Sequence, residues 1–299
     1  MAQEKSIMRI ALYGTRFNEE FVPDVKALLK RIEEEGSQLK VHAEFIRELH
    51  SHGIELPTHV TFSGYDDLKD QVDVLLSIGG DGTFLNTLTL VRDSGIPVLG
   101  INTGRLGFLA YVSAERIQSS LDLLFAEKFS TKNRSLLQVH TSVPLFGETN
   151  YALNEVAVHK KDSSSMVIIH MEVDGKYLTS YWADGLIIST PTGSTGYNLS
   201  CGGPIVAPNT ECLIITPKAP HNLTVRPLVL KDDVVLKMRV ECRDDQFLLS
   251  LDSRSHTCES DMEITISKAN FPMKIIRPEG SSFFRTMRRK LKWGADIRN

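Results

Sequence analysis

Val72-Asp73-Val74-Leu75-Leu76-Ser77-Ile78-Gly79-Gly80-Asp81-Gly82-Thr83-Phe84-Leu85 runs from a compact apolar segment into a glycine-rich loop and out into helical spacing. An apolar run of this length closed by glycine reads as a buried strand. Phe84, Leu85, Leu88 and Val91 then recur at helical intervals until Gly95. Strand, glycine turn and helix in direct succession form the unit of a parallel α/β sheet.

The surrounding sequence repeats that unit. Residues 8–13 are a second apolar run, closed by Gly14. Pro23 opens a helical pattern with Val25, Leu28, Leu29 and Ile32 on one face. Phe45, Ile46 and Leu49 mark a further helix that stops at Gly53. Residues 97–101 form a short strand, and Ile117, Leu121 and Leu124 a helix ending near Lys128. After about residue 130 the pattern changes. Residues 165–173 and 176–182 are strand-like and flank Asp174-Gly175, a hairpin signal. Residues 228–230, 234–240, 247–251 and 263–266 continue in strand-like runs with few helices between them, so this half is expected to be mostly antiparallel β. An amphipathic helix over 281–293 closes the chain. Phe283, Phe284, Met287 and Leu291 lie on one side and Arg285, Arg288, Arg289 and Lys292 on its flanks.

Composition narrows the class. The chain has 299 residues, 41% hydrophobic and 24% charged, enough apolar side chain for a core, with length for roughly two domains. A net charge of -3 gives no reason to expect nucleic acid or an anionic membrane as partner. Cys201, Cys212, Cys242 and Cys258 are widely spaced without a Cys-x-x-Cys, the pattern of buried thiols in a reducing compartment. The segment Met1-Ala2-Gln3-Glu4-Lys5 has no apolar signal region and no run is long enough to span a bilayer, so the expectation is a cytoplasmic protein.

Three common nucleotide and hydrolase signatures are missing: Gly-x-x-x-x-Gly-Lys-[Ser/Thr], Gly-x-Gly-x-x-Gly and Gly-x-Ser-x-Gly. Yet several stretches suit phosphates. In Gly79-Gly80-Asp81-Gly82-Thr83 the glycines let backbone approach a ligand, and the following helix N-terminus favours an anion. Asp81 there either accepts a proton from a hydroxyl, holds a metal, or caps the helix. A second stretch runs Thr190-Pro191-Thr192-Gly193-Ser194-Thr195-Gly196-Tyr197-Asn198-Leu199-Ser200-Cys201-Gly202-Gly203-Pro204. Its alternating hydroxyls and glycines make either a surface loop or a set of neutral ligands for phosphate and ribose; its place directly after the strand-like 186–188 favours a site. In Asn102-Thr103-Gly104-Arg105-Leu106-Gly107-Phe108-Leu109, at a strand end, Asn102 can reach a ligand, and Arg105 either holds phosphate or is a solvated loop arginine. Asn154-Glu155, in an apolar strand, is either hydrogen-bonded locally or lines a pocket.

Together these stretches resemble the NAD kinase family of the bacterial type, within the diacylglycerol kinase and phosphofructokinase-like superfamily. Asp184-Gly185, His221-Asn222-Leu223 with Arg226-Pro227, and Phe283-Phe284 with Leu291-Lys292-Trp293-Gly294 extend the match over most of the chain. The Gly-Gly-Asp-Gly loop alone is shared with lipid kinases and phosphofructokinases; the Thr-Pro-Thr-Gly-Ser-Thr run beside Gly-Gly-Pro is more specific. The resemblance implies an α/β nucleotide-binding domain with a parallel sheet over 1–129, onto which a C-terminal helix in 277–299 packs back, and a mostly antiparallel β-rich NAD-binding domain over 130–276. It implies ATP-dependent phosphorylation of the adenosine ribose 2′-hydroxyl of NAD, giving NADP and ADP. Asp81 would bond that hydroxyl and act as base, with Gly82 beside it. Asn154 and Glu155 would hold the ribose and adenine region, and Thr192, Thr195, Gly196, Tyr197 and Ser200 the NAD pocket. Asp184 would reach the nicotinamide side across a subunit interface, and Asp252 would be a further contact. Gly79, Gly80, Gly82, Thr83, Asn102 and Arg105 would serve the ATP phosphates. Mg²⁺ or another divalent cation would ride on ATP without a protein metal site. The partners implied are NAD and ATP and a second copy of the chain, in a homodimer or homotetramer, with no nucleic acid and no membrane. Two departures stand out: Gly196 is often alanine in the family, and Ser253 follows Asp252 where glycine is common.

Overall fold

The computed structural model describes residues 7–104, 107–161, 166–243, 245–278 and 282–294. The chain separates into two compact units, Met1–Lys132 with Lys274–Asn299, and Asn133–Met273. Its helices, in chain order, are α1 (Val22–Glu34), α2 (Ala43–Ser51), α3 (Asp81–Val91), α4 (Ile117–Phe125), α5 (Tyr197–Ser200) and α6 (Phe283–Leu291).

The first unit is built on a seven-stranded sheet in the order Val60–Phe62, Gln38–His42, Arg9–Gly14, Val74–Ile78, Val98–Ile101, Met273–Arg277, Ser130–Arg134. The five strands from Val60–Phe62 to Val98–Ile101 pair in parallel, with Leu12 opposite both Val41 and Leu76. Val74–Ile78 is buried at every residue, as a central parallel strand covered on both faces must be. Ile10, Leu12, Val74, Leu76 and Ile78 share a core with Val25, Leu28, Leu29 and Ile32 of α1, Phe45 and Leu49 of α2, and Ile117, Leu121 and Leu124 of α4. The helical spacing of these side chains supplies the apolar stripe that covers the sheet. α6 belongs to this unit: Phe283 packs on Phe108, ring centroids 6.2 Å apart. The stripe read from the sequence is only partly buried, because Phe284 is 59% exposed and Thr286 is the helix's buried residue.

The second unit contains two six-stranded sheets, and among the described residues their strands pair antiparallel. One has the order Lys176–Ala183, Val167–Val173, Leu236–Cys242, Glu263–Lys268, Leu137–Thr141, Tyr151–Ala152. The other runs Leu228–Lys231, Cys212–Lys218, Gly185–Ser189, Glu155–Lys160, Gln246–Leu251, Arg254–Glu259. Alternate residues from both build one core: Val167, Ile169, Met171, Met238 and Val240 with Val156, Val158, Ile188, Ile215 and Leu249. The turn at Asp174-Gly175 joins Val167–Val173 to Lys176–Ala183 as a hairpin, with both turn residues at positive φ. The motif at His221-Asn222 is structural in part: Asn222 Oδ1 accepts the Trp182 N–H at 3.0 Å.

Candidate active site

In the first unit the buried strand delivers the glycine loop. Gly80, in extended conformation, is the N-cap of α3, so Asp81 is the first helical residue. No side chain caps the helix, and the Asp81 carboxylate turns instead to the loop after Ile101. Oδ2 accepts the Phe108 N–H at 2.7 Å; Oδ1 accepts those of Leu109 at 3.0 Å and Ala110 at 3.1 Å. Three successive amides on one carboxylate require very close approach, and a β-carbon on Gly107 would lie 1.9 Å from Asp81 Oδ1. Lys290 of α6 completes the arrangement, its Nζ 3.5 Å from Asp81 Oδ2 and 4.9 Å from the centre of the Phe108 ring.

The other residues expected at the phosphates have separate environments. A β-carbon on Gly80 or Gly82 would meet nothing within 4 Å, so the start of α3 is open there. The start of a helix presents N–H groups without intrahelical partners and the positive end of its dipole. Gly79 turns the chain between the strand and the Gly80 cap. Thr83 Oγ1 shares a hydrogen bond with Thr15 Oγ1 at 2.7 Å, and Asn102 Oδ1 accepts the Gly104 N–H at 2.8 Å, so both side chains also shape the loops. Arg105 lies outside the described residues.

In the second unit the hydroxyl-rich stretch is no surface loop. Ser189, Thr190, Thr192, Ser194 and Asn198 are buried. Thr190 Oγ1 donates to Leu153 O at 2.6 Å, Asn198 Nδ2 to Ser194 O at 3.0 Å, and Thr216 Oγ1 to Asn198 Oδ1 at 2.6 Å. The loop lies so close to Asn154 that a β-carbon on Gly193 would sit 2.0 Å from its carbonyl oxygen. Against this frame three buried polar atoms have no protein partner: Asn154 Oδ1, Glu155 Oε2 and Thr192 Oγ1. Buried polar atoms without partners are costly, and a polar ligand satisfies them.

Asp252 anchors the same strand start. Its Oδ2 accepts the Leu153 N–H at 2.8 Å, and its Oδ1 those of Asn154 at 2.7 Å and Glu155 at 3.1 Å. Burial pushes the Asp252 carboxyl up, opposed by those three amides and by Arg254. Burial, and then the neighbouring Asp252 charge, push Glu155 up to about 8, while the backbone N–H of Tyr197 on its carboxylate pulls the other way. The Tyr197 ring lies 5.6 Å from that of His159 and has the Lys218 ammonium 5.6 Å from its centre. A hydrogen bond with Tyr197 raises Lys218, and burial, then the charge of Lys218, lower His159. Thr195 Oγ1 donates to Thr192 O at 3.4 Å, and a β-carbon on Gly196 would lie 3.1 Å from Glu155 Oε2. Asp184 Oδ1 pairs with Lys160 Nζ at 2.7 Å, and Ser200 is exposed.

Thus the structure groups Asp81 with the 107–110 loop in the first unit. In the second it groups Asn154, Glu155, Thr192, Thr195, Gly196, Tyr197 and Asp252. The sequence reading missed Lys290, Lys218, His159 and Lys160. Lys290 had a signal: it lies seven residues after Phe283 and three after Met287, on the face assigned to apolar packing. Lys218 and His159 became visible only with register, since both stand opposite Gly185 on adjacent strands. Among the described residues no group of three or more His, Cys, Asp or Glu side chains is placed to hold a metal ion, and no helix is long and apolar enough to cross a membrane. Cys201, Cys212 and Cys258 are free thiols.

A parallel α/β unit, a glycine loop bearing an aspartate and a second unit with unpartnered buried polar atoms are features that fit a nucleotide-using phosphotransferase. Family models for the ATP-NAD kinase N-terminal and C-terminal domains match residues 23–129 and 153–278. The NAD kinase of Cytophaga hutchinsonii is 44% identical over 293 residues, 98% of this chain and 100% of that protein. The NAD kinase of Bacteroides fragilis is 42% identical over 295 residues, 97% of this chain and 100% of that one. The crystal structure of an NAD kinase from Archaeoglobus fulgidus in complex with ATP has a TM-score of 0.73 at 29% identity, covering 95% of this chain and 99% of that chain. Yeast NADH kinase complexed with NADH shares the fold with a TM-score of 0.86 at 22% identity, covering 98% of this chain and 90% of that chain. The chain belongs to the NAD kinase family.

Proposed function

We propose that this chain carries out the family's reaction, the phosphorylation of NAD by ATP, with Asp81 as the base. The reading assigns phosphoryl transfer to the first unit and NAD recognition to the second. The ribose 2′-oxygen forms a bond to the γ-phosphorus. The bond from that phosphorus to the bridging oxygen of ADP breaks, and the hydroxyl proton passes to Asp81, leaving NADP and ADP. The amides of 108–110 hold the Asp81 carboxylate in one orientation, which favours proton transfer in a fixed geometry. Gly80, Gly82 and the start of α3 receive phosphate oxygens through backbone N–H groups. Thr83 and Asn102 shape that loop, and Arg105 is retained as a phosphate ligand.

The observation that carries the NAD assignment is the set of three unpartnered buried atoms, Asn154 Oδ1, Glu155 Oε2 and Thr192 Oγ1. Ribose hydroxyls and an adenine amino group are donors of matching kind. Tyr197 offers a ring to stack on the adenine, with Thr195 and Gly196 beside it, while Ser200 and Asp184 serve the outer parts of the dinucleotide. Asp252 acts by fixing the backbone at 153–155.

A divalent ion, Mg²⁺ by preference, would neutralise the β- and γ-phosphate charge when bound with ATP. The Asp81 oxygens are already engaged by three amides and Lys290, so the donor set fits an ion held by the triphosphate and not by a protein cage. A cytoplasmic homodimer or homotetramer completes the reading. The test is NADP formation from NAD and Mg-ATP by protein shown to be folded. The expected result is NADP that depends on both substrates; none above a no-enzyme control would overturn the assignment. Light scattering at assay concentration tests the oligomer.

A further inference from the structure

α6 carries Arg285, Arg288, Arg289 and Lys290 and no acidic residue, and among the described residues it is Lys290 of these cations that bonds the phosphate-loop aspartate. That contact is surplus to the aspartate's needs. Both Asp81 oxygens already accept amide N–H groups at 2.7 to 3.1 Å, whereas Lys290 stands off at 3.5 Å on Oδ2. The Phe108 ring keeps the ammonium over the loop. The Lys290 side chain is 37% exposed and ends in a flexible four-carbon stem, so its head can move several ångströms without disturbing α6. Space is at hand, since nothing occupies the side-chain direction of Gly80 or Gly82.

We propose that Lys290 is a phosphate-binding residue of the phosphoryl-transfer site. In the free protein it pairs with Asp81; when nucleotide arrives it exchanges the carboxylate for a non-bridging oxygen of the terminal phosphates. The exchange follows from competition for one atom. A substrate hydroxyl that approaches Oδ2 displaces the ammonium from it, and the nucleotide offers a stronger anionic acceptor. The sequence has no Walker lysine, and transfer of a phosphoryl group is catalysed mainly by positioning and charge neutralisation. Lys290 supplies a mobile point charge of that kind from the far end of the chain. The proposal rests on the NAD kinase reading for its acceptor, but not for its nucleotide contact.

The experiment compares wild type with Lys290→Met, Lys290→Arg and Arg288→Met, all checked by thermal melting. Binding of a non-hydrolysable ATP analogue with magnesium is measured by calorimetry, and NADP formation by steady-state kinetics. Lys290→Met should weaken the analogue by about 10- to 100-fold, the loss of one charge-assisted contact. It should raise KM for ATP and lower kcat, with KM for NAD unchanged within about twofold. Lys290→Arg should recover most of the loss, and Arg288→Met should behave as wild type. Wild-type analogue binding by Lys290→Met overturns the proposal, and so does an equal loss in Arg288→Met, which would mean general attraction by a basic helix. If wild type made no NADP while Lys290→Met still lost the analogue, the NAD assignment would fall and the Lys290 assignment would stand.

Discussion

Asp252 is joined twice to the backbone of Glu155, and the two side chains oppose each other. Asp252 Oδ1 accepts the Glu155 N–H at 3.1 Å, and the Asp252 N–H donates to the Glu155 carbonyl at 3.0 Å. The same closeness sets one carboxyl against the other, adding to the burial that pushes Glu155 up to about 8. The pair therefore fixes the start of a strand at the cost of an acid held away from its ordinary charge state.

Stability should record that cost. Glu155 rises from an ordinary 4.5 to about 8 on folding. Between those values the folded protein keeps a proton that the unfolded chain has released. The contribution is full below about 4.5 and is lost as pH rises through about 8. Glu155→Gln removes this slope. Melting temperatures from pH 5 to 9 should show the variant gaining on wild type as pH rises. Burial raises Asp252 in the wild type, so the difference reads Glu155 together with its coupling to Asp252. Parallel curves would contradict it.

NAD binding should expel a proton near neutral pH. Ribose hydroxyls donate, and a charged carboxylate is the stronger acceptor for them. Glu155, protonated in the free protein below about 8, must ionise to use that advantage. Calorimetric heats should vary with the ionisation enthalpy of the buffer, and affinity should tighten from pH 6.5 to 8. Glu155→Gln should bind about tenfold more weakly at pH 8 and lose the dependence. Buffer-independent heats in wild type would refute the linkage.

Much of the architecture was legible because the first-half strands are short continuous apolar runs broken by glycine. Gln38–His42 and Val60–Phe62 were missed because their polar and exposed positions, such as Gln38 and Val60, hide a strand near the sheet edge. Cys212–Lys218 escaped because its apolar run is short and ends in Thr216-Pro217-Lys218; proline in a strand-like segment argues against a strand. Asp81 and Asn154-Glu155 were readable as polar residues in glycine or apolar settings. What the sequence could not tell is how each aspartate works. Asp81 and Asp252 each collect three consecutive amides from a segment distant in sequence, and nothing local to either residue announces that.

This geometry sets the expectation for Asp81→Asn. A lone turn residue would tolerate the amide with little effect on folding. Here one carboxylate oxygen becomes an NH₂ group facing a backbone N–H donor. Melting should fall by an amount worth about 1–3 kcal/mol, the cost of an unsatisfied buried donor. Turnover should fall by roughly 10²–10⁴-fold if Asp81 is the base. NAD affinity, assigned in the proposed function to Asn154, Glu155 and Thr192, should change far less. Normal turnover in the folded fraction would remove Asp81 from the mechanism.

Gly107→Ala tests the clamp without touching the carboxyl group. The added β-carbon would lie 1.9 Å from Asp81 Oδ1 and 2.5 Å from its Cγ, a separation no atoms tolerate. Neither side yields freely, since the amides of Phe108, Leu109 and Ala110 are bound to that carboxylate. The carboxylate must swing away or the loop must shift, and either moves the proposed base from the orientation the amides set. Misplacement of about 1 Å costs on the order of 10²-fold in rate. The expected result is a drop of that size in kcat, with a lower melting temperature and an unaltered pH dependence of NAD binding. Gly104→Ala is the matched control, because a β-carbon there meets nothing within 4 Å. It should melt and turn over as wild type. If Gly107→Ala kept wild-type turnover, the carboxylate orientation set by the 108–110 amides would have no part in the rate.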